Sequence, residues 1–457
     1  MDSIKHKSFH YKNIDELEKE LDTIGISLPL SENISLLNET ISAAGYKFCN
    51  RLAIQPMEGC DGTTDGRPGE FTLRRYDRFA ASGAGLIWVE AVAVTPESRA
   101  NPRQLMITED NLSDYQKMVE KIKKICLAKN GFEPVIIMQA THSGRYSKPY
   151  GTVQPQIMWN NPHLEKENVL PASAILSDDD LQSLEEEYAC AAKLAEKAGF
   201  DGVDVKACHR YLISESFSAY ERPGLYGGSF ENRTRLFRNA LSAVKAVLSP
   251  KVFLTSRMNM YDGFPYPCGM GVLEKTGLEP QLDETVAIVK MLRDEFGVGI
   301  VDLTLGNPYS NPHVNQPFDT GPYDPPEHPL EGVARASFCT GQIKKAVPEM
   351  VIVSSAVTYL RQLSGNFGAG QIEEGIADII GFGRQSFAYP DFASDLLNKG
   401  KLDEKKCCIT CGKCSQLMRA GSTAGCVIRD EIYLPVYKKD VLGNEKDISK
   451  MISNDHP

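Results

Sequence analysis

The sequence predicts an α/β fold: a TIM (β/α)8 barrel with an N-terminal extension and a C-terminal cysteine-rich segment. Three observations predict it. Eight short apolar runs recur along the chain, helical patterns fill most of the gaps between them, and polar and titratable residues gather just after the same end of the runs. The runs are RLAIQPM (51–57), GLIWVEA (85–91), PVIIMQA (134–140), GVDVKA (202–207), VFLTSRM (252–258), IVDLTLG (300–306), VIVSSA (351–356) and DIIGFGR (378–384). They are rich in Val and Ile and mostly do not alternate, which is how parallel strands covered on both faces read. A doubly wound open sheet would need a glycine-rich dinucleotide turn after the first strand, and QPMEGCDGTTDG is not one.

Residues 1–35 read as an extension with one short amphipathic helix in NIDELEKELDTIG; nothing decides whether it packs on the barrel or on a partner. Residues 36–400 hold the barrel. The first run ends in Pro56-Met57-Glu58-Gly59-Cys60 and the second in Ala91; the third leads into Gln139 and then His142, Gly144 and Arg145. A helix follows, with Ser177 as N-cap, acids in its first turn, an apolar stripe of Leu181, Leu184, Tyr188, Ala191, Ala192 and Ala195, and Gly199 as its stop. The fourth run leads into Lys206, Cys208, His209, Arg210 and Tyr211, and a helix in RTRLFRNALSAVKAVL precedes the fifth, which ends near Arg257. The sixth leads into Asn307, Tyr309 and His313, the seventh ends in Ser355-Ala356, and the eighth in Gly383-Arg384. In a barrel of this kind ligands bind at the C-terminal ends of the strands, and a purely structural barrel has no need of Gln, His, Lys, Arg and Tyr there.

Not every residue at that end is expected to act. His142 reads first as a structural hydrogen-bonder, Arg145 as either a loop-orderer or a ligand-binder, and Cys60 and Cys208 as packing residues. Glu58 has no role that the sequence assigns. Gly227-Gly228 with Asn232 and Arg233 reads as a loop and helix start, not as chemistry.

The chain has 457 residues and a formal net charge of −10, which disfavours nucleic acid as a partner of the whole surface. No run is long and apolar enough to span a membrane, and the N-terminus lacks a signal-peptide core, so a cytoplasmic, reducing location is expected. There a tight group of cysteines binds metal or does redox chemistry more often than it forms disulfides. Such a group lies in residues 401–457: of the 12 cysteines, four are spaced Cys408-x2-Cys411-x2-Cys414-x11-Cys426, with Cys407 adjacent. All-thiolate donors suit tetrahedral zinc or an iron–sulfur cluster, and the spacing alone does not separate them.

The motifs QATHSGR, GFDGVDVKACHRYL, YGGSFENRTRLF and the closing GFGR resemble the old yellow enzyme family of flavin reductases, over roughly residues 35 to 430. The cysteine run is similar to that of its 2,4-dienoyl-CoA reductase branch, whose members carry a 4Fe-4S cluster. The third cysteine comes one residue early here. The resemblance favours the cluster over zinc and implies Cys408, Cys411, Cys414 and Cys426 as ligands. It implies FMN, with Met57 after Pro56 against the isoalloxazine ring, Ala91 beside it, Gln139 on the pyrimidine edge, and Arg257 near N1 and O2. Ser355, Ala356, Gly383 and Arg384 would hold the phosphate. Tyr211 matches the branch's proton donor. A His-x-x-His or His-x-x-Asn pair clamps the substrate carbonyl in many members; here those positions are Lys206 and His209. Tyr309 and His313 fall in the loop from which the branch draws a second histidine.

What the resemblance implies, then, is an ene-reductase that moves hydride from reduced FMN to the double bond of an α,β-unsaturated carbonyl compound, whether enoate, enoyl-CoA or enone. NAD(P)H or a separate reduced protein would be the donor. In the full-length branch FAD and NADPH domains follow the cluster, and 31 residues follow Cys426 here, so those domains are expected to be lacking. The alternatives are a flavin and iron–sulfur electron-transfer subunit acting with a partner protein, and a zinc-stapled barrel without redox chemistry. Homo-oligomer formation is left open.

Overall fold

The computed structural model describes residues 8–272 and 279–443. A short antiparallel hairpin, β1 (Ile41–Ala43) and β2 (Tyr46–Phe48), precedes the barrel. Eight parallel strands then close on themselves: β3 (Leu52–Ile54), β4 (Leu86–Ala93), β5 (Val135–Thr141), β6 (Gly202–Val205), β7 (Phe253–Tyr261), β8 (Ile300–Leu305), β9 (Val351–Ser354) and β10 (Ile379–Phe382). Neighbours pair in chain order, and β10 pairs with β3 to close the ring. Each overlaps one of the eight apolar runs; β4, β5 and β7 extend past the C-terminal end of theirs, and the other five are shorter. Every residue of these strands is buried, because helices cover the outside and side chains fill the inside. The hairpin plugs the lower mouth, where Phe48 packs with Trp88, Ile137, Phe253 and Val353.

The helix Asp178–Ala198 forms where expected. Ser177 Oγ accepts from the Asp180 N–H, and Gly199, at φ 90°, ends it in the left-handed conformation. The extension packs on the barrel. Its helix Ile14–Ile24 buries Leu17 and Leu21, and Phe9 meets the Tyr359 ring edge-on at 5.6 Å. A Cβ at Gly370, in the helix Ser364–Glu373, would lie 2.3 Å from the Pro29 carbonyl oxygen, so only glycine lets the extension approach so closely there.

The cysteine segment lies across the upper mouth. Its helices Lys413–Arg419 and Tyr433–Tyr437 share a small core of Leu417, Val427, Tyr433, Tyr437 and Val441. It is fastened to the first barrel loop: the Ala424 N–H donates to the Gly59 carbonyl at 2.6 Å, and Thr423 Oγ1 donates to Asp61 Oδ2 at 3.1 Å. Asp61 belongs to a buried network in which Arg75 reaches both Asp61 and Glu90 at 2.5 Å. Arg75→Met would leave two buried carboxylates without their cation. The expected cost is about 3–5 kcal/mol, read as a lower denaturant midpoint; a loss under about 1 kcal/mol would show that the network is solvated.

Candidate active site

The C-terminal ends of the strands and the cysteine segment enclose a cavity with about 1030 Å³ of empty space, part of it open to solvent. Pro56, Met57, Ala91, Gln139, Arg257, Ser355, Ala356, Gly383 and Arg384 all line it. So do Lys206, His209, Tyr211 and Tyr309. His313 does not: its ring Nδ1 lies 2.6 Å from the Tyr323 hydroxyl, away from the cavity-lining set.

Two buried aspartates to which the sequence assigned no role hold the floor. Asp204 accepts from Gln139 Nε2 at 2.6 Å, Trp88 Nε1 at 2.8 Å and the Arg257 N–H at 2.8 Å. Burial pushes its carboxyl up to about 6 against those hydrogen bonds. Asp302 lies 2.8 Å from Arg257 Nε and accepts from Gln55 Nε2 at 2.9 Å. Burial, opposed by Arg257 and aided by Asp204, raises it to about 7. Arg257 Nε is not aligned for a hydrogen bond on Asp302, so the guanidinium keeps donor capacity.

After β6 the backbone turns through two successive left-handed residues, His209 (φ 64°) and Arg210 (φ 61°). Such strain persists only when the surroundings hold it. Arg210 does so from full burial, with Nη1 3.1 Å from Asp262 Oδ2, and Asn259 Oδ1 accepts from the His209 N–H at 3.1 Å. His209 Nε2 faces Asn315 Nδ2 at 3.1 Å, and that amide also donates to the Leu305 carbonyl. Burial, then Arg257, Lys206 and Arg384, hold the imidazole well below its usual pKa. It is therefore neutral; with Nε2 accepting, Nδ1 carries the proton.

The Tyr211 hydroxyl lies 3.2 Å from that of Tyr309, and Tyr146 stacks on Tyr309 with ring centroids 3.9 Å apart. Lys206 Nζ sits 3.7 Å from the centre of the Tyr211 ring. Glu58 also lines the cavity, held by Asn101 Nδ2 at 2.7 Å; burial, countered by Lys206 and reinforced by Glu90, raises its carboxyl to about 7.

At the other side Ala356 is left-handed (φ 67°), and a Cβ at Gly383 would lie 3.2 Å from Met57 Sδ. Among the described residues no carboxylate lies within 4 Å of Arg384. An unpaired arginine beside exposed turns of backbone suits a dianion, so the residues fit a flavin mononucleotide.

Cys408, Cys411, Cys414 and Cys426 line a second cavity, together with Thr410, Ile428 and Arg429. It shares a wall with the first: Arg384, Phe387 and Cys414 line both. The Thr410 N–H donates to Cys408 Sγ, and the Arg429 N–H to Cys426 Sγ, both at 3.4 Å. Cys407 also borders this cavity but is fully buried; its thiol donates to the Asp403 carbonyl at 3.4 Å and accepts from Gln385 Nε2 at 3.3 Å. Among the described residues no three His, Cys, Asp or Glu side chains converge as around a single metal ion. Four thiols spread round a cavity, two of them receiving N–H···S bonds, are a donor set that fits a cube with one thiolate per iron.

His142 is a structural hydrogen-bonder, its Nδ1 accepting from the Gly144 N–H at 3.1 Å. Arg145 orders its loop through buried Glu165 and Glu215. Arg233 pairs with Glu284 at 2.5 Å, and Ser229 caps the short helix Phe230–Arg233.

Residues 40–280 match the NADH:flavin oxidoreductase / NADH oxidase family. The chain belongs to that family. An NADPH dehydrogenase of Clostridium acetobutylicum is 29% identical over 269 residues, 58% of this chain and 72% of that protein. An NADH:flavin oxidoreductase of Gibberella zeae is 26% identical over 361 residues, 75% of this chain and 81% of that protein. Among solved structures, a 2-naphthoyl-CoA reductase superposes with a TM-score of 0.70 at 18% identity, over 86% of this chain and 57% of that one. The chain thus spans little more than half of that protein. The old yellow enzyme homologue of Zymomonas mobilis superposes at 0.59 with 21% identity, over 81% of this chain and 94% of that one. Family membership makes this a flavin oxidoreductase, and the structural likenesses agree with the barrel. Among the described residues no helix is long and apolar enough to cross a membrane.

Proposed function

We propose that the chain is an FMN-dependent ene-reductase acting on α,β-unsaturated carbonyl compounds, with a 4Fe-4S cluster held beside the flavin. The observation that carries the reading is the shared wall: the cavity lined by the flavin-binding candidates and the tyrosine pair meets the cavity lined by four cysteines at Arg384, Phe387 and Cys414. The likeness to NADPH dehydrogenases supports a nicotinamide as the source of electrons.

When bound and reduced, FMN supplies hydride chemistry. The chain's residues do the rest. Gln139, fixed by Asp204, and Arg257, oriented by Asp302, would orient the ring and hold negative charge that develops on it. Arg384 and the turns at Ala356 and Gly383 would bind the phosphate. His209 and Lys206 would polarise the substrate carbonyl, and Tyr211 would give a proton to the α-carbon. Cys408, Cys411, Cys414 and Cys426 would hold the cluster, with Cys407 engaged by Asp403 and Gln385 instead.

Arg384→Ala removes the unpaired cation from the phosphate end. FMN dissociation, followed by flavin fluorescence, is expected to weaken about 10- to 150-fold, the equivalent of about 1.5–3 kcal/mol for a charge-assisted contact. An unchanged affinity would place the phosphate elsewhere.

The function is tested by reducing the holoprotein anaerobically and mixing it with 2-cyclohexenone. Reoxidation of the flavin with formation of the saturated ketone supports the reading. A protein that passes electrons to other acceptors but reoxidises with no alkene is an electron-transfer subunit, the alternative.

A further inference from the structure

Lys206 directly follows β6, with its N–H donated to the Ala140 carbonyl at 3.1 Å, and only 5% of it is exposed. Its ammonium enters the cavity and rests on the Tyr211 ring. Among the described residues it has no hydrogen-bond acceptor and no carboxylate within 4 Å. Burial lowers its pKa, with Cys208 and Glu58 pulling the other way, so a cationic Lys206 needs an anion beside it. The nearby acids are committed: Asp204 to three donors, Asp302 to Arg257 and Gln55, Glu58 to Asn101. Nor does the flavin phosphate site supply the charge, because β6 stands diametrically across the ring from β10, which leads into Arg384. Arg257 already faces the charge that would develop on the flavin ring, which leaves the other ligand, the substrate, as the source of the anion.

We infer that the substrate is an α,β-unsaturated carboxylate, a 2-enoate whose own activating group is the anion bound by Lys206. This rests on the ene-reductase reading. The place of the charge decides the class. Lys206 touches Tyr211, the candidate proton donor, so the anion it binds lies at the reacting end and not on a remote handle. A ketone or thioester carries no charge there. His209, neutral with a proton on Nδ1, adds a donor without adding charge. In the reaction the β-carbon takes a hydride from the reduced flavin, and the π pair moves toward the α-carbon and carboxylate, doubling the negative charge that Lys206 faces. The α-carbon then takes the Tyr211 proton, and the tyrosinate regains one from solvent. The alkene is reduced to the saturated acid and the flavin is oxidised.

The test compares cinnamate, methyl cinnamate and 4-phenyl-3-buten-2-one with the holoenzyme and reduced methyl viologen as donor. Wild type is expected to favour the acid over the ester by at least about 10-fold in kcat/KM. Lys206→Met is expected to lower that ratio about 10- to 100-fold, and Lys206→Arg to hold it within a few-fold. In parallel, 3-phenylpropanoate is titrated into the oxidised holoenzymes by flavin absorbance, with its Kd expected to rise by a similar factor in Lys206→Met. A wild-type preference for the ester, or a Lys206→Met that slows all three substrates equally, overturns the inference. Reduction of none of the three refutes the ene-reductase reading instead. In that case the titration still decides Lys206, and an unchanged Kd overturns its role.

Discussion

Tyr211→Phe is expected to leave reduction of the flavin by its donor near normal and to slow the alkene step by about 10² to 10⁴, the usual worth of a positioned general acid. The substitution keeps the ring on which Lys206 rests and deletes only the hydroxyl, which lies 3.2 Å from the hydroxyl of Tyr309. Burial, then Tyr309 and Glu58, hold the Tyr211 phenol above its usual pKa, so it stays protonated until a carbanion develops beside it. Tyr309→Phe removes the neighbour and not the donor, and a smaller effect is expected. The half-reactions are separated by anaerobic stopped-flow. An alkene step within a few-fold of wild type in Tyr211→Phe would pass the role to Tyr309 or His209. His313, turned to Tyr323, is not a candidate in this arrangement.

The second large effect is expected in the cysteine segment. Cys411→Ser should strip iron and acid-labile sulfide, because a cube needs one thiolate per iron and a serine oxygen is a harder, weaker ligand. Cys407→Ser should keep both, since its thiol is spent on Asp403 and Gln385, whereas Cys408→Ser should lose them. Iron and sulfide assays read the outcome. Full retention in Cys411→Ser would remove that residue from the ligand set, and retention in Cys408→Ser with loss in Cys407→Ser would exchange the neighbours. Because Ala424 and Thr423 fasten this segment to Gly59 and Asp61, loss of the cluster is also expected to loosen the loop that carries Met57 and Glu58.

The barrel was legible because its strands are buried on both faces and so read as runs rich in Val and Ile that mostly do not alternate, and the caps at Ser177 and Gly199 are local signals. The hairpin Ile41–Phe48 was not, since strands of three residues are too short to show a period. Most of the cavity was legible because strand ends are sequence landmarks in this architecture. Asp204 and Asp302 were passed over inside apolar runs, yet a lone aspartate in a fully buried strand must find partners within the barrel, and that was the available signal. Asn315 and Tyr146 gave none: each reaches the site from the end of a short helical turn, Pro312–Asn315 or Gly144–Tyr146, whose path the sequence does not fix. His313 shows the same limit in reverse, for a residue two positions from Asn315 faces another ring.

The central claim is that flavin and cluster sit in adjoining cavities of one chain. It is tested most directly by the visible spectrum of the anaerobically purified protein, with FMN, iron, sulfide and zinc assayed on the same sample. The account predicts flavin bands over a broad brown absorption that dithionite bleaches, with about one FMN, four iron and four sulfide per chain. A colourless protein that contains zinc and no flavin would contradict it.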